Sequence, residues 1–127
     1  MVHVNFRLIT KEITLVLFRQ VVLIMGKEMS LSEWWTFNRS IIAYSPDKLG
    51  VYELGDEERI TLYYGYGKIR TKLLEHLNKK ECLRARYFRF ELLETEEECM
   101  IRIQQLLHEY QNRFDILPLY NERERQG

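Results

Sequence analysis

Lys68, Lys72, His76 and Lys79 fall at i, i+4, i+8 and i+11 of a helical pattern, so they share one face. Such a row meets a phosphate backbone as point charges. Arg70 lies about half a turn away from Lys72, and Arg86 follows in the next patterned segment. Just upstream stand two tyrosine-bearing tripeptides, Gly50-Val51-Tyr52 and Tyr63-Tyr64-Gly65, with ten residues between them. Cleaving a phosphodiester needs a base near the attacking water, positive charge at the phosphate and, as a rule, a divalent metal on a carboxylate. Cations and phenols are present here. Cys82 and Cys99 lie on separate elements, with no CxxC and no Cys/His metal spacing, and read as free thiols of a reducing cytoplasm.

The elements that must position these residues follow from periodicity. Ser45-Pro46-Asp47 marks a turn into a hairpin. Its strands are expected over about 50–54 and 60–64, with turn chemistry at Gly55-Asp56. Gly65 and Gly67 permit a tight exit into a helix ending near Asn78, with Ile69, Leu73 and Leu77 on its apolar face. Arg84–Leu92 alternates as a strand: Arg86, Phe88, Phe90 and Leu92 face one way, and Ala85, Tyr87, Arg89 and Glu91 the other. Thr95 and Glu98 form a capping box for a helix to about Asn112, with the stripe Cys99, Ile103, Leu106, Leu107 and Tyr110. Pro118 predicts an extended tail over 117–121, and 122–127 reads as frayed. Nearer the start, Ser30 or Ser32 is expected to cap a short helix over 31–39 that packs Trp34, Trp35 and Phe37 into the core. Val2 to Leu8 alternates as a strand, and Ile13–Ile24 is too short and too broken by Arg19 and Gln20 to span a membrane. Residues 1–24 read as an extension, with Met1 and Met25 both open as the start. One domain is expected over 25–121. Its fold class is α+β: a small antiparallel three-stranded sheet flanked by helices, with an extra N-terminal strand/helix segment.

This arrangement of Leu49–Asn121 resembles the GIY-YIG nuclease domain, in which a hairpin carrying two such tripeptides precedes a helix. The resemblance implies roles residue by residue. Tyr52 matches the first tyrosine and would activate water, and Tyr63 opens the second tripeptide and would orient it. His76 matches a histidine at the end of the first helix. Pro118, Tyr120 and Asn121 match a P-x-Y-N ending whose asparagine supports the site. The family's phosphate-holding arginine falls on Lys72, which keeps the charge and loses the bidentate fork. The family's metal-binding glutamate, three residues before an apolar pair, falls on Ile103. Either that register differs, another carboxylate substitutes, or Mg²⁺ or Mn²⁺ is not held in the family's way. The implied catalytic set is Tyr52, Tyr63, Lys72, His76 and Asn121. Lys68, Arg70, Lys72, Lys79 and Arg86 are the implied nucleic-acid contacts, with no metal ligand assigned.

Composition narrows the partners. The 127 residues are 46% hydrophobic and 30% charged, with formal net charge +0, so the total does not favour nucleic acid. The distribution does: 66–90 carries eight Lys/Arg against two Glu, and 91–109 six Glu against one Arg. Solvated neighbouring faces that neutralise each other account for this equally well. Tyr52 and Tyr63 also read as ordinary strand tyrosines. The expected function is a GIY-YIG-like nucleic-acid-processing protein, weakly active or degenerate as a metal-dependent endonuclease, acting on DNA sooner than RNA in the cytoplasm. The rival readings are a non-catalytic nucleic-acid binder and an interaction module that exposes Trp34–Phe37 and forms a homodimer.

Overall fold

The computed structural model describes residues 30–127; the expected N-terminal strand, the 1–24 extension and the Met25 start lie outside the described residues. Leu31–Gly127 forms one compact unit. The chain runs through β1 (Trp35–Thr36), α1 (Arg39–Ile42), β2 (Leu49–Gly55), β3 (Thr61–Lys68), α2 (Ile69–Lys79), β4 (Tyr87–Leu92), α3 (Glu96–Phe114) and α4 (Leu119–Gln126). The α+β class is as expected, and the antiparallel sheet has four strands in the order β1-β4-β2-β3.

The extra strand is β1, where a helix was expected. Ser32 does not cap a helix. Its N–H donates to Phe90 O (2.8 Å) and its Oγ accepts from Phe90 N–H (3.1 Å), which docks the segment on β4. Aromatic and β-branched residues over 34–37 suit a pleated surface better than a helix. Alternation then sends the two tryptophans to opposite faces. Trp35 packs on Phe88 and Phe90 at ring distances of 5.7 and 5.5 Å, while Trp34 lies over Gly55 and under the Arg89 guanidinium, 4.4 Å away. No exposed Trp34–Phe37 patch results: all three rings are half-buried.

β2 is flanked by two neighbours and sets the core. From one face Tyr52 and Leu54, with Tyr63 of β3 and Phe88 of β4, meet Ile42, Ile69, Leu73, Cys82 and Tyr120. The other face holds Val51, Glu53, Arg89 and Glu91 and is covered by α3, where Arg102 Nε donates to Glu91 Oε1 (3.1 Å). Glu53, 1% exposed, accepts from Arg89 Nε (2.6 Å) and Thr61 Oγ1 (2.5 Å). Both cysteines are free and buried.

Three local features differ from the pattern. β3 continues to Lys68 because Gly65 and Gly67 stay paired to β2, so α2 starts at Ile69. Lys68 offers α2 no capping side chain; Asp47 from the preceding loop accepts from Thr71 N–H (3.0 Å) instead. The end of the chain is neither extended nor frayed. Pro118 sits at the entry of α4, where its fixed φ suits a helix start and its missing N–H costs nothing.

The Glu53–Arg89 pair gives a stability prediction. Arg89→Met leaves a buried carboxylate without its cation and should cost about 3 kcal/mol. Urea unfolding of Arg89→Met, Glu53→Leu and the double variant checks it. The double variant should lose clearly less than the sum of the two singles.

Candidate functional site

Tyr52 lies at the middle of β2 opposite Gly65. A Cβ on Gly65 would come within 2.5 Å of the Tyr52 hydroxyl oxygen and 2.7 Å of the Tyr63 ring. Only glycine leaves room there for both phenols. The Tyr52 hydroxyl reaches His76 Nε2 of α2 at 2.6 Å. Tyr63, two residues before Gly65, packs its ring 5.1 Å from the imidazole and donates its O–H to Glu124 Oε2 of α4 (2.8 Å). Gly67 has φ +141°, and the Lys72 stem lies across it where a Cβ would stand. That packing turns Lys72 back over the strand.

These side chains border one cleft of about 700 Å³. Tyr52, Tyr63, Lys72, His76 and Asn121 all line it, as does Lys79. Ile103, the position matched to a metal-binding glutamate, lines it too. The other expected phosphate contacts are elsewhere. Lys68 is exposed outside the cleft. Arg70 Nε is committed to the Ser45 carbonyl (2.9 Å). Arg86 Nη1 donates to Leu83 O and Ala85 O, and its side chain lines a separate groove with Arg84 and the acidic hairpin tip Asp56–Glu58. The basic row thus contributes Lys72, His76 and Lys79 only.

Asn121 does not point a reactive atom into the cleft. Its Oδ1 accepts from Tyr64 N–H (2.8 Å) and its Nδ2 donates to Tyr64 O (2.9 Å). Both side-chain groups are used on the backbone of the edge strand β3, which seats α4 and brings Glu124 to Tyr63. Asn121 is a positioning residue.

Four acidic cleft residues, Glu75, Glu81, Glu96 and Glu124, were not singled out by the sequence reading. Glu124 sat in a tail judged frayed; the signal for it was a proline at a helix entry followed by helix formers.

A family model described as Domain of unknown function (DUF7508) matches residues 29–113. The chain belongs to that family. No curated protein and no solved structure matches the chain. The span matched by the DUF7508 model carries Tyr52, Tyr63, Lys72, His76 and Ile103; Asn121 and Glu124 lie beyond it.

The chemistry of this DUF7508 cleft is set by burial. Burial pushes the Tyr52 phenol far above its ordinary value, with the neighbouring Tyr63 adding to it. Burial, then the bond to Glu124, does the same to Tyr63. Both stay protonated. Burial pulls His76 below its ordinary value against the opposing pull of Glu81, so the imidazole is neutral at pH 7. Placing its hydrogen on Nδ1 gives both nitrogens a partner. Nδ1–H then faces Cys82 Sγ (3.7 Å) and Glu81 Oε2 (4.0 Å), and Nε2 accepts the Tyr52 proton. Burial raises the Cys82 thiol to about 12, so it is no nucleophile.

The cleft's charges are mixed. Lys72 and Lys79 face Glu75, Glu81, Glu96 and Glu124, and Lys72 Nζ is 3.6 Å from Glu75. An isoleucine, which offers no metal ligand, stands at the position matched to the metal-binding glutamate.

His76 yields a pH prediction. Its folded pKa is depressed below 6.5, so the unfolded chain takes the proton first. Its contribution to stability is complete above 6.5 and is lost as pH falls from there through the folded pKa. Urea midpoints at neutral and mildly acid pH should separate more in the wild type than in His76→Gln. Imidazole titration by NMR should put His76 below the model-peptide value.

Proposed function

We propose that this is a GIY-YIG-like nucleic-acid-processing domain that engages phosphodiesters in the cleft between β3, α2 and α3, with cleavage reduced to a residual activity. One observation carries the reading. Six positions fixed in advance by the resemblance, Tyr52, Tyr63, Lys72, Ile103, His76 and Asn121, come from five elements and line a single cleft. The phosphate lies on the lysine side, where Lys72 and Lys79 supply charge. Hydrolysis needs a base for water, and the Tyr52–His76 pair supplies one: neutral His76 takes the phenolic proton as Tyr52 takes one from water. Burial holds the phenol protonated, so the relay returns Tyr52 to its neutral form. DNA is the expected substrate.

Ile103 favours a second reading, a non-catalytic binder on the same surface. An aliphatic side chain at the ligand position removes the means of neutralising charge at the transition state.

Labelled branched, single-stranded and duplex DNA, incubated with Mg²⁺ or Mn²⁺ beside Tyr52→Phe, tests both. Gel shifts should weaken steeply with salt, and Lys72→Glu should lower the salt slope by about one. Slow cleavage lost in Tyr52→Phe supports the nuclease; binding with no cleavage supports the binder. Cleavage undiminished in Tyr52→Phe, or no binding at low salt, sinks the proposal.

A further inference from the structure

A second groove, about 580 Å³, lies where the β2–β3 hairpin tip meets the C-terminal end of α3. Arg59, Arg89 and Arg113 line it against a single acid, Glu109. Arg89 is held by Glu53. Arg59 and Arg113 are different. Among the described residues neither joins an ion pair. Each guanidinium lies on a ring instead, Arg59 4.9 Å over Tyr87 and Arg113 5.3 Å over Phe114. Stacking fixes the plane of a guanidinium and leaves its N–H edge open to an anion. Arg59 also occupies a left-handed backbone position, φ 64°, which glycine or asparagine would accept more easily. The floor is aromatic. Tyr110 and Phe114 pack at 4.6 Å, and Phe114 is 51% exposed. Stacked arginines around exposed rings suit a chain that alternates anionic groups with flat apolar faces.

The groove is not isolated. Tyr64 lines both it and the cleft described above, so the two are neighbours on the α3 side of β3.

We propose that this groove is a single-strand subsite: unpaired nucleotides running on from the phosphodiester in the cleft stack on Phe114 and Tyr110, with their phosphates on Arg59 and Arg113. The preferred substrate class is then nucleic acid bearing a single-stranded segment, ahead of blunt duplex. This inference rests on the proposed function of the cleft.

Fluorescence anisotropy of the full chain with a blunt DNA duplex, and with the same duplex carrying an oligothymidine tail, separates the two ideas. The tail should tighten binding roughly tenfold. Arg113→Glu and Phe114→Ala, both at exposed positions, should remove that gain and leave blunt-duplex affinity unchanged; circular dichroism checks that they fold. Lys72→Glu should weaken both substrates alike. Equal affinity for tailed and blunt DNA, or a tail effect untouched by Arg113→Glu, overturns the groove and leaves the cleft standing. No binding of either substrate removes both. Arg113→Glu abolishing capture of poly-glutamate while tailed DNA is ignored would make the groove an acidic-polypeptide site and overturn the inference.

Discussion

The contact on which the rest of the structure depends is the Tyr52 phenol lying across the bare backbone of Gly65. It joins the central strand to the edge strand through their side-chain faces as well as their ladder. It delivers a hydroxyl to His76, and so fixes how α2 rolls against the sheet. It also sets where Tyr63 can lie, because the same glycine makes room for both rings. Tyr63 then meets Glu124, and α4 is tied in. A buried phenol needs a partner for its hydroxyl, and each partner here belongs to a different element. The cleft is what remains between those partners.

β2 carries opposite chemistry on its two sides. Toward α2 the packing is mainly aromatic and aliphatic. Toward α3 it contains carboxylates and guanidiniums, Glu53 with Arg89 and Glu91 with Arg102. Charges held inside a protein contribute less to stability than the same volume of well-packed hydrocarbon. They do penalise any register that would strand them. A slip of β2 by one residue would drive Glu53 into the aromatic core and Tyr52 among the charges. The polar side therefore protects the alignment on which the tyrosine cleft relies.

Much of this was legible from period and spacing. The hairpin, α2, the capped start of α3 and the alternation of Phe88 with Arg89 follow from patterns of two and 3.6. Ile103, the position matched to the family's glutamate, lines the same cleft as the two tyrosines. What failed has physical causes. β1 is two residues long, and it exists only because β4 offers an edge for Ser32 and Trp35 to pair with. α4 was hidden by a proline that reads as a breaker within an element and as a favourable start at its first turn. Arg70 and Arg86 were expected as nucleic-acid contacts, and their hydrogen bonds to the main chain were not foreseen. Sequence gives charge but not direction, and nearby carbonyl groups of Ser45, Leu83 and Ala85 claim both side chains.

Asn121 presents both halves of an amide to a single residue of an outer strand, much as another strand would. α4 is therefore a lid on the free margin of the sheet as well as a donor to the cleft. The DUF7508 match ends at residue 113, before this helix. A piece trimmed to the matched span would keep the tyrosines, the imidazole and the lysines and lose the cover on β3. Its open margin, with Leu62 and Tyr64 alongside, would offer unpaired main-chain groups to any other chain. For this fold the cover on that margin comes from residues that lie after the matched span has ended.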